Sequence, residues 1–204
     1  MKEKYLQDLK EIREMMSRSS RFISLSGLSG ISAGIVALVG AYLIHSFVFE
    51  GGDYLTFEKV VLPGDALTDL LLIGLGTLVV SISLVIFLTT RETKKRHQKV
   101  WDQQTRRILI SLSIPLVTGG IVCLVFLSHG YAGLVLPMTL VFYGLALVNA
   151  SKYTLDEIRN LGLLEIVLGL LAFQFISFGL ILWAVGFGLL HIVYGIIVKT
   201  KYPA

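Results

Sequence analysis

Two ionisable side chains, Glu165 and His191, lie deep inside otherwise uncharged runs near the end of a 204-residue chain. Counting from Phe178, Glu165 is 13 residues before and His191 is 13 residues after. At a helical rise of about 1.5 Å per residue, both fall roughly 20 Å from the turn, at matching depth on adjacent antiparallel helices. Each sits on a face of small residues. Gly162, Glu165, Gly169 and Ala172 share one narrow helix face, and Ala184, Gly188, His191 and Gly195 share another. Such faces pack against protein rather than lipid. A central charge in a membrane span costs about 2.5–3.5 kcal/mol on insertion scales, so both residues need a reason. One reason is proton or cation handling, which carboxylate and imidazole groups perform in membrane proteins. The other is a polar clamp between helices, worth about 0.6 kcal/mol for an average intramembrane hydrogen bond. Two ligands are too few for a metal site without recruits.

Other polar residues are weaker candidates. Asn149, at the inner end of an apolar run, and Gln174 complete a set of intramembrane polar groups with Glu165 and His191. His45 and His129 both fall at the outer side, and two histidines near one surface invite a haem or metal reading, although no second motif accompanies them. The chain contains no phosphate-binding glycine loop, no zinc-protease histidine pair, no nucleophile elbow and no paired-aspartate motif. An enzyme is therefore disfavoured, and no cofactor is expected. The lone Cys123 excludes an internal disulfide and reads as apolar filling.

The elements that position these residues are membrane helices. Apolar residues make up 54% of the chain and charged residues 16%, against about 25% charged in a soluble domain. A spanning helix takes about 20 apolar residues. Apolar runs give six spans, at about 22–48, 67–90, 108–127, 132–150, 161–176 and 180–198. The run from Ile108 to Ser151 is too long for one span and divides at Ser128–Gly133, which is rich in turn formers. Pro115 should kink the third span. Ser26, Gly30 and Gly34 form a small-residue face on the first span, as Gly169 and Gly188 do on the last two. A shift of 86 residues aligns Gly34–Val39 with Gly120–Val125 at five of six positions, a faint repeat built from common residues.

Of 18 Lys and Arg, 17 fall on one side of this arrangement, leaving only Lys59 on the other. The positive-inside bias then places both termini in the cytoplasm, and it explains the net charge of +4 without nucleic acid. Residues 1–20 read as a cytoplasmic amphipathic helix, with Tyr5, Leu9, Ile12 and Met16 on its apolar side, ahead of a transmembrane domain over 21–204. The fold class is all-α: a polytopic membrane protein of six transmembrane helices behind an amphipathic helix. The lipid bilayer is the first partner. The N-terminal helix and the basic loop 91–107 are surfaces for a protein partner, and the small-residue face of the first span serves either the bundle or a homo-oligomer.

The opening, Glu11-Ile12-Arg13-Glu14-Met15-Met16 followed by Ser19-Ser20-Arg21-Phe22-Ile23-Ser24-Leu25-Ser26-Gly27-Leu28-Ser29-Gly30, resembles that of a family of small, uncharacterised bacterial six-span inner-membrane proteins. The resemblance covers about the first forty residues and implies a multi-pass protein of the bacterial cytoplasmic membrane, without implying chemistry. The expected function is a sensory, regulatory or assembly role through cytoplasmic partners. The alternative is a small proton- or cation-coupled transporter or channel that uses Glu165 and His191.

Overall fold

A computed structural model describes residues 27–49, 54–60, 62–95 and 101–202 of the chain. It is 89% helical, with six helices and no strand among the described residues. These are α1 (Gly27–Ile44), α2 (Gly64–Lys95), α3 (Gln103–Ser128), α4 (Val135–Ala150), α5 (Asp156–Gln174) and a composite sixth helix. The sixth consists of α6 (Gly179–Trp183), a π-helical stretch (Ala184–Leu190) and α7 (His191–Lys201). A π-helical turn, His45–Phe49, also prolongs α1. The proposed helix at 1–20, Ser26 and the middle of the basic loop, 96–100, lie outside the described residues.

Five of the helices are long and apolar enough to cross a membrane. α5 is not among those five, because Asp156, Glu157, Arg159 and Glu165 all lie along it. The expected fifth span began at 161, after a short polar loop. The helix instead starts at Asp156, since Asp156 and Glu157 favour the positive end of a helix dipole and make a good first turn. α2 and α3 likewise extend beyond their apolar runs. Asp65 lies in the first turn of α2, and Lys94 and Lys95 end it with the complementary charge. Asp102 caps α3, its Oδ1 accepting from the Thr105 amide at 2.7 Å. Pro115 lies within α3, which continues through it.

α1 packs on α2 and on the sixth helix, the sixth also meets α4 and α5, and α4 lies against α3 and α5. α2 and α3 are thus the outer members. In α2 only Ala66 and Thr93 are buried, while side chains such as Leu72 and Phe87 are exposed. In water that surface would be costly, but it matches hydrocarbon. The inner contacts depend on glycine at close approach. A β-carbon at Gly34 would meet the Gly188 carbonyl oxygen at 2.5 Å, and one at Gly144 would meet that of Gly162 at 2.5 Å. Gly30 lies against the backbone of Gly195 and His191. The faint repeat does not extend to structure, because Gly120, the counterpart of Gly34, faces open space.

The loops gather at two ends of the bundle. At one, the Val60 amide donates to the Gly130 carbonyl at 2.8 Å, bringing the segment with Lys59 to the loop with His129. At the other, Gln104 reaches the Tyr153 carbonyl at 3.5 Å, and Lys201 pairs with Glu157.

Candidate functional site

Glu165 projects from the middle of α5, and His191 opens α7 where the π-helical stretch ends. The structure brings Glu165 Oε1 to 3.4 Å from His191 Nδ1. Glu165 is fully buried at 0% exposure and His191 nearly so at 6%. Neither carboxyl oxygen of Glu165 makes a hydrogen bond among the described residues, because the Nδ1–H is taken by another acceptor. The imidazole is held at both nitrogens. Nδ1 lies 3.0 Å from the Gly186 carbonyl oxygen, and Nε2 lies 2.8 Å from the Tyr143 hydroxyl. A carbonyl only accepts, so Nδ1 carries the hydrogen, and in the neutral ring Nε2 accepts from the Tyr143 O–H.

The π-helical stretch accounts for part of this geometry. The Gly186 carbonyl lies within it and accepts from a side chain five residues on, and such segments often occur at functional positions. Gly186 also gives the carboxyl room: a β-carbon there would come within 2.5 Å of Glu165 Oε2 and 2.7 Å of Leu140 Cδ2. Trp183, Phe187 and His191 form a ladder along the sixth helix, with Trp183 and Phe187 ring centroids 4.8 Å apart and Phe187 stacked on the imidazole at 5.9 Å. Tyr143 packs against Phe187 at 4.8 Å, and Trp183 Nε1 donates to Thr139 Oγ1 at 3.1 Å. Every polar edge of this aromatic group is therefore bonded.

The arrangement positions one hydrogen between two acceptors. Nδ1–H bonds to the Gly186 carbonyl, and Glu165 Oε1 lies 3.4 Å from the same nitrogen, close enough to take that proton after a small rearrangement. Nε2 can be refilled by Tyr143. This is the connectivity of an imidazole relay: a proton taken at Nε2 and another released from Nδ1 to Oε1.

The other sequence candidates go elsewhere. Asn149 Nδ2 donates to the Ser111 carbonyl at 2.7 Å. Ser111 is four residues before Pro115, whose missing N–H leaves that carbonyl free, so Asn149 repairs the break that the proline makes in α3. Asn149 Oδ1 also receives Lys152 Nζ at 3.4 Å. Gln174 is exposed as the last residue of α5, about 14 Å along the axis from Glu165. His45 is exposed on its π-helical turn. His129 is also exposed and closes the end of α3, its Nδ1 lying 2.8 Å from the Val125 carbonyl. No group of three or more metal-binding side chains forms among the described residues. Gly169 packs on Leu140 and Val141, and Gly188 on Leu38, so both serve helix contact.

Sequence reasoning missed Tyr143 and Gly186. A tyrosine in mid-span is a signal, because a buried phenolic hydroxyl usually has a partner. Gly186 carried no separate signal, since its role depends on the π-helical stretch. Compared with known proteins, the chain matches no family model, no curated protein and no solved structure.

Proposed function

We propose that this chain is a proton-coupled transporter or channel in which Glu165 and His191 share and pass on a proton, with Tyr143 supplying the outer nitrogen of the ring. The observation that carries this reading is the fully buried Glu165 carboxyl 3.4 Å from a ring nitrogen that already has a second acceptor. A clamp alone needs one good hydrogen bond. This site leaves both carboxyl oxygens without one, an expensive arrangement that serves movement of a proton better than cohesion. The membrane is taken to be a bacterial cytoplasmic membrane, with the Lys201 end inward by the positive-inside bias.

The test is proton flux into liposomes containing the purified protein, driven by a potassium diffusion potential. Glu165→Gln and His191→Ala each reduce flux to the protein-free level, while Gln174→Ala leaves it unchanged. Flux that survives Glu165→Gln unaltered overturns the reading.

A second reading rests on charge at one end. Lys94, Lys95, Arg106 and Arg107 are exposed near the ends of α2 and α3, as is Lys199 on α7. With the proposed N-terminal helix, they offer a docking surface for a regulatory or assembly partner. Deleting residues 1–20 abolishes co-purification of that partner under this reading, and an unchanged set of partners counts against it.

A further inference from the structure

The buried couple needs a route to water, and the two ends of the bundle differ in what they offer. Toward the Lys59 end, Glu165 is covered by Leu140, which is fully buried, and the sixth helix there presents Phe187 and Trp183. Toward the Lys201 end, the same helix presents Tyr194, one turn beyond His191. Tyr194 is 8% exposed, and its hydroxyl bonds to no protein group among the described residues. Its ring belongs to the cluster of Leu147, Ile158, Leu161 and Val198, against which Tyr143 also packs. Tyr202 packs against the same cluster, and the Tyr202 hydroxyl reaches Glu157 Oε1 at 3.5 Å.

Glu157 lies eight residues before Glu165 on α5, about 12 Å nearer that end. Its Oε1 takes Lys201 Nζ at 2.5 Å and the Tyr202 hydroxyl at 3.5 Å, while Oε2 is buried and without a hydrogen-bond partner among the described residues. Glu157 Oε2, the Tyr194 hydroxyl, the Tyr143 hydroxyl and His191 Nε2 thus succeed one another from the end of the bundle to its interior. α1, on the other face of the sixth helix, contributes no Asp, Glu, Lys, Arg or His between Gly27 and Ile44.

We infer that protons reach the Glu165–His191 couple from the Lys201 end, collected at Glu157 and passed inward through the hydroxyl of Tyr194. This deepens the proton-handling reading and rests on it. At Tyr194 one O–H bond forms on the Glu157 side as one breaks on the Tyr143 side, and the same exchange follows at Tyr143. At His191 an N–H bond forms at Nε2 as the Nδ1–H breaks, and the proton ends as an O–H on Glu165 Oε1. No electrons are transferred. Tyr194 passes the proton along the route and leaves the final distribution of protons unchanged.

The experiment follows the carboxyl stretch of Glu165 by time-resolved infrared spectroscopy after a pH jump, with the full chain in lipid nanodiscs. The band is assigned by its loss in Glu165→Gln. Tyr194→Phe slows its appearance by about tenfold or more while leaving the pH midpoint in place. Glu157→Gln, which keeps the size of the side chain, slows it about threefold by removing the collecting group. Tyr42→Phe, an exposed tyrosine away from the route, has no effect. Wild-type rates in both Tyr194→Phe and Glu157→Gln overturn the route. A shift in midpoint equal to the change in rate makes Tyr194 merely structural. If wild type shows no Glu165 band that responds to pH, the proton-handling reading itself falls.

Discussion

Two acid–base pairs join α5 to the sixth helix. Glu165 meets His191 at 3.4 Å in the interior, with side chains 0% and 8% exposed, whereas Glu157 meets Lys201 at 2.5 Å at the end of the bundle, with side chains 13% and 59% exposed. The shorter contact is the less consequential one. Water and counterions screen Lys201, and an exposed ion pair contributes little. The interior pair is out of reach of solvent, so its protonation and its neighbours determine whether it is tolerated at all. The outer pair has ordinary ion-pair geometry. In the inner pair, a carboxyl with no hydrogen bond among the described residues faces a fully bonded imidazole, and the proton-handling proposal rests on that asymmetry.

The contrast can be broken most forcefully at His191. His191→Ala leaves the Glu165 carboxyl and the Tyr143 hydroxyl buried without partners, and should cost about 3–5 kcal/mol. Lys201→Ala should leave the apparent Tm within about 1 °C of wild type. Thermal unfolding in nanodiscs measures both, and similar losses would erase the distinction between the pairs. A smaller effect is expected at Gly186. Gly186→Ala forces a methyl group against Glu165 Oε2 and Leu140, costing about 1–3 kcal/mol. The matched change Gly120→Ala, into open space, should stay within about 0.5 kcal/mol. Tyr143→Phe removes one hydrogen bond to Nε2, with an expected loss of about 0.6–1.7 kcal/mol. It also separates stability from function, because proton flux should fall by more than the loss of stability accounts for.

The smallest expected effect is a pH dependence at the outer pair. Burial pushes the Glu157 carboxyl up, but the hydrogen bond and charge of Lys201 outweigh it and hold the carboxyl below its ordinary range. A carboxyl depressed in the folded state contributes stability above its unfolded value, near 4.3, and loses it as pH falls through the folded value. The Lys201 contact should therefore persist from neutral pH down to about 4 and loosen in stronger acid. Hydrogen exchange at Lys199–Tyr202 measures this, and loosening already at neutral pH would contradict it.

Much of the fold was legible in the sequence because lipid imposes a simple rule. Apolar runs marked the helices, and turn formers at Ser128–Gly133 marked a break that has no charge to signal it. Helix ends were less legible, since Asp102 caps α3 while Asp156, Asp65 and Lys95 complement helix dipoles, and these carry helices past their apolar limits. The equal spacing of Glu165 and His191 from Phe178 was enough to set them side by side. The third member, Tyr143, comes from a helix whose packing partners no count along the chain could supply. Asn149 shows how position alone misleads: a polar residue at the inner end of a span proves to mend the backbone opposite Pro115.

The central claim is that Glu165 and His191 share one proton. Nitrogen-15 NMR of His191 across a pH titration in nanodiscs tests this most directly, in wild type and in Glu165→Gln. The account predicts a hydrogen on Nδ1 with Nε2 accepting in wild type, and a titration curve that changes when the carboxyl is replaced. Superimposable curves in the two proteins would mean that the groups titrate independently, and would contradict it.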